Sequence, residues 1–296
     1  IFTNNDSAYE TAIEFKNNGI EPIILDTRSN PKSEIVDEAK NLGINIKFSH
    51  VVVAANGYKK VNSAQIAQIS ANKKDLGIIE KINCDCICVS GFWTPSIHLS
   101  SQSGNKTKFD DKIDAFVPGK SKQNETTIGS ANGIFNLEET INTSFEKGYE
   151  LSKKITNKDN KVSIPQVSEK NYTSHDKFWC VPLPDKKNYK RFLDFQNDVT
   201  VSDIELALRE GYRSIEHVKR YTTLGMATDQ GKTSNLNGLQ LVSDVENKIV
   251  PSVGHTTFRP PYTPVSIGAI VGREVGKHSK PTRKSPMHSW HEKNNA

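Results

Sequence analysis

The sequence predicts an α/β protein whose strand-and-helix region is followed by a small, mainly α-helical domain. Two observations predict it. "IFTNNDSAYETAIEFKNNGIEPIILDTR" (1–28) reads as strand, polar turn, helix and strand, the pattern of a βαβ unit. "VTVSDIELALREGYRSIEHVKRY" (199–221) spaces Ile204, Leu208, Tyr212, Ile215 and Val218 near 3.6 residues, which predicts one helix with a single apolar face. The 296 residues suffice for about two domains, and 35% hydrophobic content builds cores on the polar side of the usual range.

In the first unit Ala8, Ala12 and Phe15 share one helix face, and Gly19 is placed to end the helix. The second strand closes on Asp26, where a dinucleotide fold puts the carboxylate that meets a ribose hydroxyl. The glycines of that fold's first turn are absent, and "TNNDSA" (3–8) fills it. Two readings stand side by side: a working nucleotide site, or a βαβ unit that keeps the fold and binds nothing there. A helix and short strands follow over 33–69. "KINCDCICVSGFWTPSIHL" (81–99) reads as an apolar strand ending at Gly91, with Trp93, Thr94 and Pro95 just beyond. Cys84, Cys86 and Cys88 alternate along it and would share one face. Their spacing does not match a zinc knuckle, with Cys180 the lone further thiol, so they read as small buried hydrophobes of a reduced, cytosolic protein.

"TTIGSANGIFNLEETINTSFEKGYELSKKI" (126–155) is a turn followed by a long helix. It resembles the closing motif of two-dinucleotide-domain flavoprotein reductases, in which the helix N-terminus faces the cofactor. Such a terminus suits a phosphate or carboxylate. The acidic residue expected in the turn is replaced by Gly129, Ser130, Ala131, Asn132 and Gly133. The strand ending "GFWTP" has its counterpart in the same proteins, where the second nucleotide domain rejoins the first. The fold class expected for residues 1–155 is thus a partial FAD/NAD(P)-binding two-dinucleotide-domain-like fold. Residues 156–176 read as a polar linker, 177–246 as the small helical domain, and 247–296 as an extended segment in which "FRPPYTP" forms a covering strap.

"KRYTTLGMATDQGKTSNLNG" (219–238) ends like a P-loop but is not one. Five residues separate Gly225 from Gly231, Met226 stands where the first glycine belongs, and a helix precedes the stretch instead of a buried strand. A capping box from Ser202 to Glu205 is expected to start that helix. The net charge of +5 is spread along the chain, and the basic C-terminal run lacks aromatic interleaving. It reads as an exposed linker, and no nucleic acid is implied. No membrane-length apolar run and no signal peptide are present, so a cytoplasmic location is expected. His288 and His291 flank Trp290 without metalloprotease spacing, and His98, His175, His217 and His255 have no nucleophile nearby. No catalytic or metal-ligating residue is assigned.

"FTNNDSAY" (2–9), "SGFWTPSIHLSSQSG" (90–104), "FVPGK" (116–120), residues 194–238 and "GHTTFRPPYTPV" (254–265) together resemble the alpha subunit of heterotetrameric sarcosine oxidases. The resemblance spans essentially the whole chain and marks it as an internal piece of such a subunit, with "SPMHSWHE" (285–292) entering a folate-binding, aminomethyltransferase-like domain. It implies beta, gamma and delta subunits as partners. It also implies oxidation of sarcosine to glycine at FAD in the beta subunit, with FMN held between alpha and beta, and transfer of the one-carbon unit to tetrahydrofolate. NAD is implied in the alpha nucleotide site. In that setting Lys219, Arg220 and Lys232 are placed to neutralise an FMN phosphate, with Thr223, Thr233 and Ser234 as short donors. A structural loop docking on the partner is the equal alternative. Two other readings stay open: the alpha subunit of a related hydroxyproline or opine dehydrogenase, and a non-catalytic scaffold.

Overall fold

The computed structural model describes residues 1–91, 93–159, 163–167, 175–183, 189–226, 228–260, 262–274, 276 and 282–295. Phe92, Ala227 and Pro261, with parts of the expected linker and of the C-terminal run, lie outside them. Two compact units emerge, Ile1–Arg259 and Pro260–Ala296.

The βαβ opening is present. Strand β1 (Phe2–Thr3) leads into helix α1 (Ser7–Asn17), then β2 (Ile23–Asp26), α2 (Glu34–Asn41) and β3 (Asn45–Phe48). Gly19, at φ 78°, follows the end of α1 as expected. Tyr9 and Ala12 of α1, Ile35, Val36 and Ala39 of α2, and Ile24 of β2 close one apolar core. An antiparallel sheet is inserted next: β4 (His50–Gly57), β5 (Val61–Ile69) and β6 (Leu76–Asn83). The chain then returns as β7 (Val89–Ser90) beside β1. The main sheet has the order β3-β2-β1-β7 and every pairing in it is parallel.

The cysteine stretch departs from expectation. β6 ends at Asn83 and β7 starts at Val89, so residues 84–88 are irregular backbone. Cys86 is exposed, and Cys84 and Cys88 are half-buried. The alternation of thiols therefore does not describe a strand face: the backbone leaves one sheet and joins another across these residues.

Helix α3 (His98–Gln102) and the hairpin β8 (Thr107–Asp110) with β9 (Ala115–Pro118) follow. The 20-residue α4 (Leu137–Thr156) is capped by Asn136, whose side chain accepts from the Glu139 N–H, and none of its residues is buried. Its start is tied to the preceding turn by Thr140 Oγ1, which donates to the Ile134 carbonyl at 3.2 Å.

Strands β10 (Phe192–Asp194) and β11 (Val199–Thr200) open the helical region, with α5 (Val201–Arg209), α6 (Ile215–Thr222) and α7 (Asn235–Glu246). The periodic run over 204–218 is two helices, not one. Gly211 adopts φ 95°, its N–H bonds the Leu208 carbonyl, and the Tyr212 N–H bonds that of Ala207. That is a Schellman stop, which glycine makes without steric cost. The core survives the break because Ile204, Leu208, Ile215 and Val218 still face Leu224, Leu239 and Val242. The capping box also sits two residues earlier than expected. Thr200 is extended, at φ −107° and ψ 167°, and bonds reciprocally with Asp203.

Candidate functional site at the carboxyl edge of the parallel sheet

In a doubly wound sheet ligands bind outside the carboxyl ends of the strands, where the strand order reverses. Here the order reverses between β1 and β7. A cleft of about 580 Å³ opens there, lined by Thr3 and Asn4 after β1, by Ser90, Gly91, Trp93 and Thr94 after β7, and by Lys232, Thr233 and Asn237 of the helical region. A second cleft of about 970 Å³ lies over the ends of β2 and β3, lined by Thr27–Lys32, Ser70 and Lys73. Thr27 and Asp176 border both.

Asp176 is held at this boundary from several sides. Its N–H donates to the Asn4 carbonyl at 2.8 Å, and Asn4 Nδ2 donates to the Asp176 carbonyl at 2.8 Å. Thr27 Oγ1 reaches its carboxylate at 3.1 Å, and Lys73 pairs with it. Next to it His175 Nε2 meets Asp114 Oδ2 at 3.1 Å, and Lys177 pairs with the same carboxylate. His175 and Asp176 stand in what reads as a linker, and a polar linker carries no periodicity that would single them out. Only the fold shows that this strand of chain passes over the sheet edge.

The first βα turn is filled from within. Asn5 Oδ1 accepts from the Ser7 N–H at 2.9 Å and from its hydroxyl at 2.6 Å, so it occupies the start of α1. Asp26 is fully buried. It accepts from Tyr9 Oη at 2.7 Å, from the Arg28 N–H at 2.9 Å, and from Arg28 Nε and Nη2. Arg28 Nη1 also bonds Asp6 at 2.7 Å. Burial would lower the Arg28 pKa, but its bonds to Asp26 and Asp6 outweigh that and raise it. Burial and the Asp26 charge hold the Tyr9 phenol protonated.

The remaining side chains named from the sequence do not all come together at one place. Trp93, Thr94, Lys232 and Thr233 come together on the switch-point cleft, and Trp93 is 60% exposed. Pro95 is buried beside Gly133. Gly129–Asn132 form a 3₁₀ turn, and Gly133 (φ 83°) packs so closely that a Cβ would collide with Ile113 and crowd Val117. Ser130 is exposed there, with Ala131 and Asn132 half-buried. The helix after this turn begins with Glu138 and Glu139, which oppose an anion at its N-terminus. Lys219, Arg220 and Thr223 are not among the residues lining either cleft. Lys219 is buried, and desolvation lowers its amine pKa, with Arg259 and Arg220 adding to the effect and Glu216 opposing it. Thr223 is the left-handed cap of α6. Ser234 is fully buried and its hydroxyl meets no partner among the described residues.

A family model described as the sarcosine oxidase A3 domain matches residues 188–273. The sarcosine oxidase subunit alpha of Rhizobium meliloti (strain 1021) is 34% identical over 305 aligned residues, which cover 100% of this chain and 29% of that protein. The subunit alpha of Corynebacterium sp. (strain P-1) is 33% identical over 298, covering 98% and 30%. The chain is homologous to part of the sarcosine oxidase alpha subunit. It spans 29–31% of the length of the curated relatives it matches.

Among solved structures, L-proline dehydrogenase from P. horikoshii superposes with a TM-score of 0.51 at 19% identity, covering 90% of this chain and 53% of that one. That likeness shows a shared fold. In this alpha-subunit homologue the A3 match takes in α5, α6, α7 and the turn between Thr223 and Ser234. The turn is built on two left-handed glycines. Gly225 donates its N–H to Asp194 Oδ2 at 2.7 Å, and Gly231 donates to Asp229 Oδ1 at 3.0 Å. It is a folded turn between helices, unlike a phosphate loop after a strand. Among the described residues no helix is long and apolar enough to cross a membrane.

Proposed function

We propose that the chain is part of the alpha subunit of a sarcosine-oxidase-like flavoenzyme, an oxidoreductase acting on CH–NH donors. In this reading the complex oxidatively demethylates sarcosine to glycine and passes the one-carbon unit to tetrahydrofolate. Beta, gamma and delta subunits are its partners. Amine oxidation belongs to FAD in the beta subunit, and tetrahydrofolate binds a domain beyond this chain. This chain forms one wall of the FMN site, and the NAD that the resemblance implies would have to lie outside its first βα turn, which Asn5 closes. Its parts are the nucleotide-fold region 1–155, the connecting segment 156–176, the helical domain 177–246 and the segment 247–296.

The observation that carries the reading is the pair of adjoining clefts along the carboxyl edge of the sheet. Their residues suit a ring and a phosphate: Trp93 offers an exposed aromatic face, Lys232 a cation, and Thr94 and Thr233 exposed hydroxyls. The first βα turn does not suit a pyrophosphate, because Asn5 and Asp6 fill it. Asp26 accordingly acts through Arg28, which it fixes at the rim of the larger cleft. FMN supplies electron transfer when bound. Lys232 and Thr233 bind its phosphate, Trp93 and Thr94 orient its ring, and the Asp176 network keeps the cleft edges together.

Lys232→Ala in the whole complex tests this reading. Loss of FMN from the purified complex, and slower flavin reoxidation, are expected. Full FMN content with unchanged reoxidation would remove Lys232 from the site. The closed first turn favours one second reading, a non-catalytic scaffold. A purified complex free of nucleotide would support that reading.

A further inference from the structure

At the opposite, amino end of the parallel sheet lies a third cleft of about 560 Å³. All five residues of the irregular segment Cys84–Cys88 line it, together with Ile1 and Ile23 at the starts of β1 and β2. The segment is pinned at both ends. The Cys84 N–H bonds the Asn62 carbonyl at 3.1 Å, and the Phe2 N–H bonds the Cys88 carbonyl at 2.8 Å. Cys84 and Ile87 pack on the core formed by Leu25, Ala64 and Ile66. Cys86 is left exposed, and its Sγ stands 3.8 Å from that of Cys88.

We propose that Cys86 and Cys88 are a reversible redox pair, closing to an intrachain disulfide by exchange with a small-molecule disulfide. The sulfurs need to approach by about 1.8 Å to reach bonding distance. Pinned flanks keep them neighbours, and the irregular backbone between them is free of sheet pairing. The exposed Cys86 thiolate attacks one sulfur of the small disulfide. A mixed disulfide forms and one small thiol leaves. Cys88 then gives up its proton and attacks Cys86 Sγ, releasing the second small thiol. Two protein thiols are oxidised and one small disulfide is reduced to two thiols, so electrons and protons balance. Burial, with the hydrogen bond from Cys88 to Cys86 adding to it, raises the Cys88 pKa, which suits a thiol that reacts second. Exposed disulfides are the readily reduced ones, so excess small thiol reopens the pair. Cys84, packed on the core, takes no part. The role does not depend on the cofactor reading, because the thiols sit at the other end of the sheet.

The native protein containing this chain is equilibrated in buffers of graded glutathione and glutathione disulfide, quenched in acid and alkylated. Trypsin cuts after Lys81 and Lys106, giving one peptide that carries these three cysteines and no other. Oxidising buffer is expected to yield a peptide about 2 Da lighter apart from its alkyl groups, with Cys84 alone alkylated. Reducing buffer returns three alkyl groups with the same midpoint. Cys86→Ser abolishes the mass loss. Three alkylated cysteines across the series overturn the proposal. So does a lasting glutathione adduct on Cys86 or a bridge that includes Cys84.

Discussion

Arg28 grips Asp26 two residues back along the chain with both sides of its fork, Nε to Oδ1 at 3.0 Å and Nη2 to Oδ2 at 2.8 Å. The same guanidinium reaches Asp6 across the turn. All three groups are buried, so each charge depends on the others. Arg28→Met strands two carboxylates and should cost about 3–5 kcal/mol in urea unfolding. The neutral triple variant Asp6→Asn, Asp26→Asn, Arg28→Met should recover most of that loss. A single variant as stable as the parent would show that the charges are not what this cluster needs.

Gly231 and Gly211 both take left-handed backbone, at φ 74° and 95°, but their surroundings differ. A Cβ at Gly231 collides with the Asn235 amide, whereas at Gly211 it meets no described atom within 4 Å. Gly211→Ala should cost roughly 1–2 kcal/mol, the backbone penalty alone. Gly231→Ala should cost clearly more, and adding Asn235→Ala should return part of the difference. Equal losses for the two single variants in denaturant titrations would contradict the close contact.

His255 packs edge-on between Phe116 and Phe258, with ring centroids 5.3 and 5.0 Å away. Burial pulls its pKa down from 6.5 to about 4, and Lys219 adds to this while Glu216 opposes it. The unfolded chain therefore binds a proton that the fold refuses between these values. Stability from this group is complete above about pH 6.5 and is lost as pH falls toward 4, up to about 3 kcal/mol in all. His255→Phe should flatten that part of the stability-versus-pH curve. An unchanged slope in the variant would assign the acid sensitivity to other groups.

Thr200 caps α5 through the Asp203 N–H while Asp203 answers to the Thr200 N–H at 2.7 Å. Thr200→Ala should lower the stability of the helical region by about 1 kcal/mol. Ser202→Ala, at the capping position expected from the sequence, should change it far less. The reverse ranking in thermal unfolding would return the cap to Ser202.

The sequence made the βαβ opening legible because its apolar periods are local and its turns polar. The helical region was equally legible in its core positions. Its break at Gly211 was hidden, since Ile215 and Val218 keep the same apparent period after the stop. The cysteine stretch misled for a related reason: alternation predicts a strand face only where neighbouring strands exist to pair with it. Trp93, Thr94, Lys232 and Thr233 could be named from local motifs. His175, Asp176 and Asp114 could not, since their association rests on contacts over 61 to 172 residues of chain.

Helix α4 has a kinetic consequence. Only its stretch from Thr140 to Phe145 is continuously half-buried, and beyond it Ile155 is 79% exposed. Most helical stability in a protein comes from packing of an apolar face, and the last turns of α4 have little of it. Deuterium should therefore enter its last turns quickly and the half-buried stretch from Thr140 to Phe145 last. Any partner that packs on the exposed end of α4 would announce itself as a slowing of that uptake, residue by residue, before any complex is resolved.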